Sequence, residues 1–219
     1  MPPKAHVAAA RTFYEASADR YVQFVGTEIS GATETPVDQA LLRAFVDLVK
    51  AGTSKRVADV GCGPGRVAAF VQTHHLEVVG LDPSPAMLAA ARIAHPDIQF
   101  EEGQLDDLPV PNASLAGVVC WYSIIHTPPE YLGAAFAEVG RVLRPEGYLL
   151  LAFQAGSGEP VLRTDTYGAA LSLTNFRHSL GDVTGRLEDA GLSVRATVVR
   201  EPEFEHETTP QAFVIARSH

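Results

Sequence analysis

The sequence predicts a three-layer α/β fold in which an open, mostly parallel sheet lies between two sets of helices. Two observations carry this. From residue 55 to residue 154, short apolar runs alternate with helix-compatible segments, and such alternation implies right-handed crossovers between parallel strands. The first run passes through Val57-Ala58-Asp59-Val60 into a glycine-rich turn, Gly61-Cys62-Gly63-Pro64-Gly65, and the next ends in Gly80-Leu81-Asp82. In an open α/β sheet ligands bind outside the carboxyl ends of the strands, so this turn is where function is expected.

The elements follow in order. Phe13, Tyr14, Ala16, Tyr21 and Phe24 recur at helical intervals over residues 8 to 25. A loop rich in Gly, Thr and Ser (26 to 36) leads to a second amphipathic helix from Val37 to Lys50, with Leu41, Leu42, Phe45, Leu48 and Val49 as its apolar face and Gly52 past its end. Then come strand 55–60, helix 65–74, strand 77–82, helix 84–95, strands 97–102 and 115–121, helix 129–143 and strand 147–154. Ser84 is placed as an N-cap, with Pro85 at the first helical position. The alternation lapses between 155 and 178, where Gly156, Gly158 and Pro160 precede strand-like Val161–Thr164 and Leu171–Thr174. Those edges can pair between subunits, so monomer and homodimer both stand. Ser179 caps a final helix, Gly181 to Ala190, and strands 192–199 and 211–217 close the sheet as an antiparallel hairpin. With no linker and no internal repeat, residues 1–219 form a single domain, divided into 1–52, a core at 53–154, an insertion at 155–178, and a helix and hairpin at 179–219.

Composition narrows the classes. The 219 residues suffice for one domain with a sizeable core, and the 46% hydrophobic content excludes global disorder. No apolar run approaches the ~20 residues of a membrane span, and the amino terminus lacks the basic-then-apolar pattern of a secretion signal. Two cysteines, Cys62 and Cys120, make no disulfide framework, so the expected compartment is the cytosol with both thiols reduced. A net charge of −9 without a basic cluster excludes nucleic acid as partner, and the acidic stretch Glu201 to Glu207 reads as a solvated loop. The eight histidines show no paired ligand spacing, so no metal is expected.

The turn chemistry points to a nucleoside-bearing cofactor. Gly61, Gly63 and Gly65 permit positive φ and leave no Cβ between backbone and ligand. Asp82, at a strand end, can accept both hydroxyls of a ribose. A dinucleotide fingerprint needs a small residue where Arg66 stands, which disfavours NAD. The pattern Asp59-x-Gly61-x-Gly63-x-Gly65 resembles motif I of the class I S-adenosylmethionine-dependent methyltransferases, and Gly80-Leu81-Asp82 resembles their second motif. Phe100 to Pro109 is similar to the family's third strand and the acidic loop over adenine, and Ser114 to Cys120 to its fourth strand. Glu138 to Tyr148 resembles the helix, Arg-Pro-x-Gly turn and fifth strand of small-molecule members, and the likeness spans residues 10 to 219.

The resemblance implies a Rossmann-like, seven-stranded, mostly parallel sheet with an antiparallel last strand and an amino-terminal helical lid. It implies methyl transfer from S-adenosylmethionine to a small-molecule acceptor, releasing S-adenosylhomocysteine. Gly61, Cys62, Gly63 and Gly65 would shape the methionine pocket, Asp59 would steer the ammonium group, and Asp82 would hold the ribose. Pro83 and Met87 count among the cofactor residues, as do Gln104 and the Leu105 backbone at adenine and Trp121 at the methionine part. Many relatives carry Asp at the place of Gln104, whose carbonyl can still accept from the adenine amino group. Tyr14 and Tyr21 belong to a Phe-Tyr-x-x-x-Ala-x-x-Tyr pattern like that of the lid, where a tyrosine bonds the cofactor's carboxylate.

Methyl transfer from a sulfonium is an in-line displacement that needs alignment and exclusion of water, and a base only when the nucleophile is protonated. His126, after the fourth strand, is the candidate base, with a packing role as its alternative. Tyr122 is placed to orient substrate, and His178 and Asp165 are further candidates for substrate contact. Arg20 reads as a solvated side chain or the partner of a carboxylate. Two rival functions remain on the same residues: methylation of a protein, and non-catalytic binding of S-adenosylmethionine.

Overall fold

The strand signals become a seven-stranded sheet in the computed structural model, which describes residues 4–164, 167 and 171–219. Two helices come first, α1 (Ala5–Val25) and α2 (Pro36–Lys50). The core then runs β1 (Arg56–Val60), α3 (Arg66–Thr73), β2 (Glu77–Asp82), α4 (Pro85–Ala94), β3 (Gln99–Glu102), β4 (Leu115–Trp121), α5 (Leu132–Val142) and β5 (Leu143–Gln154). β6 (Glu159–Arg163), β7 (Leu173–Arg177), α6 (Leu180–Asp189), β8 (Leu192–Arg200) and β9 (Gln211–Ser218) complete the chain. The sheet order is β3-β2-β1-β4-β5-β9-β8; β1 to β5 pair in parallel, and β9 lies antiparallel to both β5 and β8.

The period-two pattern divides each strand between two cores. Ala58 and Val60, Val118 and Cys120, and Leu149, Leu151 and Phe153 face α5 and α6, where Phe136, Val139, Val183 and Leu187 are fully buried. Val57, Val119, Leu150 and Ile215 face the opposite way, against Leu42, Phe45 and Val46 of α2 and Val67 and Val71 of α3. A third cluster seats α4 through Leu88 and Ala91 on Ile98 and Phe100. Ser84 accepts from the Met87 amide and Ser179 from the Asp182 amide, so both predicted N-caps form.

Some boundaries move. α2 starts at Pro36 because Thr35 and Asp38 close a reciprocal capping box. The helix expected from 129 begins as a single 3-10 turn, Pro129–Tyr131, before α5. In the insertion, β6 and β7 pair antiparallel with one another as a separate two-stranded sheet. Each therefore satisfies one edge within the chain, and pairing between subunits is not needed to explain the strand signals.

α1 lies across the carboxyl ends of the strands and is tied to the core along its length. Lys4 pairs with Asp106 at 2.6 Å and Arg11 with Glu102 at 2.7 Å. A Glu15 carboxylate oxygen accepts from the Ser84 hydroxyl at 2.8 Å and the Ala86 amide at 3.1 Å, which places a negative charge at the start of α4.

Candidate active site

A cavity of about 280 Å³ opens along the carboxyl ends of the parallel strands, beneath α1. It straddles β1 and β4, where the strand order reverses direction, the position at which α/β sheets hold ligands. On the β1–β3 side its wall includes the glycine turn, Asp82 and Gln104; on the β4–β5–β9 side it includes Trp121, Tyr122, Gln154 and Gln211. Of the residues singled out from sequence, Tyr14, Tyr21, Asp59, Gly61, Cys62, Gly63, Asp82, Pro83, Met87, Gln104, Leu105, Trp121, Tyr122 and His126 all line this one cavity.

Gly65 does not. It has φ of +85°, and a Cβ there would lie 2.8 Å from the Phe100 ring, so its smallness lets α3 close on β3. Gly61 is tighter still: φ is +73°, and an added Cβ would meet the Ser123 Cβ at 2.4 Å. Gly61→Ala therefore combines left-handed strain with a clash against the loop after β4. We expect a loss of about 3 kcal/mol in stability, read from the urea midpoint; a wild-type midpoint would show that the turn relaxes freely.

Asp82 organises the turn. Its Oδ2 accepts from the Gly63 amide at 2.9 Å and its Oδ1 from the Ser84 amide at 2.8 Å. Each oxygen keeps lone-pair capacity for a ligand hydroxyl. Asp59 is 1% exposed, and its Oδ2 accepts from the Ala68 amide at 2.9 Å. Burial pushes the Asp59 carboxyl up to about 7 and that of Asp82 up to about 6. Both folded-state values lie above the unfolded ones, so their contribution to stability is full below about pH 4 and is lost as pH rises through 6 to 7. A ligand that needs the ionised forms follows the opposite trend. S-adenosylhomocysteine is therefore expected to bind about tenfold more weakly at pH 5 than at pH 8 through Asp82 alone. Calorimetry across that range checks it, and a pH-independent affinity would refute it.

His126 sits between two partners. Its Nδ1 lies 3.2 Å from the Thr174 carbonyl, which can only accept, so Nδ1 carries the proton. Its Nε2 then accepts from the Tyr14 hydroxyl at 3.0 Å. Burial lowers the imidazole to about 4 and raises the Tyr14 phenol well above its ordinary range. The basic nitrogen is thus occupied and weak, and the single Tyr14 proton is committed to it. While that bond stands, Tyr14 has no proton to offer a carboxylate. Tyr21 packs edge-on against Tyr14, with ring centroids 5.2 Å apart, and approaches Gly63.

Two buried charge clusters escaped the sequence reading. Arg66, at the first position of α3, pairs with Glu34, which is 3% exposed and also accepts from the Thr33 hydroxyl at 2.7 Å; both partners line the cavity. The available signal was a basic residue where the helix dipole favours an acidic one. Farther along, Arg200 donates Nε and Nη2 to Asp38 at 2.8 and 2.9 Å, and Nη1 and Nη2 to Glu207 at 2.8 and 2.6 Å. Glu207 also accepts from the Glu203 and Phe204 amides and lines the cavity, so the acidic loop is solvated at Glu201, Glu203 and Glu205 but not at Glu207. Tyr122 holds a left-handed φ of +58° and packs edge-on against Trp121, at 5.8 Å between centroids. The Trp121 Nε1 and Gln154 Oε1 atoms in this half are buried without a partner.

The remaining candidates lie elsewhere. His178 is 1% exposed, donates Nε2–H to the Ile124 carbonyl at 3.0 Å and does not line the cavity, so it supports the loop after β4 from outside the cavity. Arg20 donates to the Tyr167 carbonyl at 3.4 Å. Asp165 lies outside the described residues. Cys62 and Cys120 are buried free thiols. Among the described residues no three potential ligands cluster for a metal, and no helix is long and apolar enough to cross a membrane.

Comparison with known proteins agrees with this layout. Residues 57–147 match the family model described as a methyltransferase domain. A probable S-adenosylmethionine-dependent methyltransferase of Mycolicibacterium smegmatis is 32% identical over 146 residues, covering 65% of this chain and 53% of that protein. A trans-aconitate 2-methyltransferase of Escherichia coli O139:H28 is 36% identical over 97 residues, 43% of this chain and 37% of that protein. The chain thus spans about half or less of the length of these relatives. The crystal structure of magnesium protoporphyrin IX methyltransferase from Synechocystis PCC 6803 with bound S-adenosylmethionine superposes with a TM-score of 0.72, at 18% identity and full coverage of both chains, and shows the shared fold. The stretch from β1 into β5 is thus similar to a methyltransferase domain.

Proposed function

We propose that this protein transfers a methyl group from S-adenosylmethionine to a small-molecule acceptor and releases S-adenosylhomocysteine. The observation that carries the reading is a single cavity, roofed by α1, that joins the glycine turn and Asp82 to a separate wall at β4, β5 and β9. The chemistry of the donor set fits the cofactor. Asp82 would take the ribose hydroxyls, Asp59 the ammonium group, and Gln104 with the Leu105 backbone the adenine. When bound, S-adenosylmethionine supplies a methyl carbon already activated by its sulfonium.

The chain's own part is to hold the acceptor in line and exclude water. α1 does the excluding, tied down through Lys4, Arg11 and Glu15. His126 acts as a positioning residue: through Thr174 and Tyr14 it locks the insertion, the loop after β4 and α1 together. With its basic nitrogen occupied and weakened by burial, the site suits an acceptor that is nucleophilic without a strong base. The roof disfavours a protein acceptor, which needs an open groove, and a trans-aconitate methyltransferase among the relatives favours a small one. The cavity's extension over β4 and β5 disfavours a purely cofactor-binding role.

Calorimetric titration with S-adenosylhomocysteine, with NAD as control, tests the cofactor assignment. Micromolar binding of the first and none of the second is the expected outcome, and a small-molecule screen for S-adenosylhomocysteine release then tests turnover. Preference for NAD, or turnover of proteins only, would overturn the reading.

A further inference from the structure

We propose that the acceptor is anchored by an ammonium group, received between an aromatic wall formed by Phe24, Tyr167 and His206 and the carboxylate of Glu207, while a different, unprotonated atom of the acceptor takes the methyl group. This rests on the methyl-transfer reading above and names the substrate class for its second half-site.

The first argument is charge. Among the described residues, the carboxyl groups that line the cavity are those of Glu34, Asp59, Asp82 and Glu207, and Arg66 is the one Lys or Arg beside them. Arg66 is already paired with Glu34. Behind the wall, Arg200 serves two carboxylates, Asp38 and Glu207, so that cluster carries one net negative charge at the β9 end. An anionic acceptor would meet no unpaired cation among the described residues that line the cavity, and burying a charge without a partner is costly. A cation meets an excess of carboxylate. Glu207 Oε1 accepts only from Arg200 Nη2, whereas Oε2 is filled by Arg200 Nη1 and two amides. The less occupied oxygen retains acceptor capacity.

The second argument is the rings. Phe24 meets His206 edge-on with centroids 5.3 Å apart and Tyr167 at 5.4 Å, and Tyr167 meets Tyr21 at 5.1 Å. These four side chains and Glu207 line the same cavity, and His206 precedes Glu207 in the chain. Phe24 is 45% exposed, an unusual state for a phenylalanine, and it stands where the cavity meets solvent. Aromatic faces beside a carboxylate form the arrangement that attracts an ammonium group as it leaves water.

The test uses protein saturated with S-adenosylhomocysteine at pH 8, so that no turnover occurs, titrated with three probes of similar size: 2-phenylethylamine, 2-phenylethanol and 3-phenylpropionate. The amine is expected to bind about tenfold more tightly than the alcohol, with no detectable binding of the carboxylate. Glu207→Gln is expected to reduce the preference for amine over alcohol to less than about threefold. Because Glu207 also orders its loop, Phe24→Leu provides a second variant at an exposed position, and it too is expected to shrink that preference. Equal or tighter binding of the carboxylate or alcohol in the wild type would overturn the inference while leaving methyl transfer intact. A preference that survives both variants would overturn its assignment to this wall. Failure of S-adenosylhomocysteine to bind would instead remove the underlying functional reading.

Discussion

Replacing Asp82 with alanine is expected to weaken S-adenosylhomocysteine binding about 100-fold, the largest effect on ligand affinity of any single change in the cavity. Two ribose hydroxyls donating to a buried carboxylate contribute about 1.5 kcal/mol each, and 3 kcal/mol corresponds to roughly two orders of magnitude. The variant also orphans the Gly63 and Ser84 amides, which now converge on the same side chain. The ligand-free protein should suffer less. Burial holds the Asp82 carboxyl above its ordinary range, so at pH 8 its charge is itself unfavourable to the fold, and removing it offsets part of the lost hydrogen bonding. Affinity and thermal stability are therefore expected to separate in this variant. A dissociation constant within threefold of wild type would show that the ribose is held elsewhere.

The half of the site that Asp82 anchors was the more legible in the sequence. Asp59, Gly61, Gly63 and Asp82 lie at strand ends or in the turn after β1, and a parallel sheet brings successive strand ends together whatever the side chains do. Ser84 and Ser179 announced their helices because capping is local, settled within three residues. In the second half Trp121, Tyr122 and His126 were legible by their place at and after the end of β4, but the long-range partners that complete it were not. Glu34 finds Arg66 across 32 positions, Tyr14 finds His126 across 112, and Asp38 finds Arg200 across 162. No periodicity encodes such pairs. They exist only once the loop before α2, the roof and the edge of the sheet have been folded onto the same cavity. His126 illustrates the cost: its place after β4 was right for a base, but the partners that occupy both nitrogens come from α1 and β7.

Arg200→Met is expected to lower the melting temperature by about 10 °C, because breaking a buried ion pair from one side costs about 3–5 kcal/mol in a domain of this size. The guanidinium is 7% exposed and joins three elements: α2 through Asp38, the end of β8, and the 201–209 loop through Glu207. Methionine fills much of the volume but leaves two carboxylates facing each other without a counter-charge. The deficit is accordingly expected to shrink as pH falls, since protonating either acid relieves the repulsion, whereas a loss due to packing alone would be the same at every pH. A double replacement, Asp38→Asn with Arg200→Met, separates the causes further. If charge is the cause, removing one acid recovers a large share of the lost stability. If the double variant is no more stable than the single one, Arg200 acts through its contact with the Phe213 ring, 5.9 Å away, and the cluster is not the electrostatic support of the cavity wall.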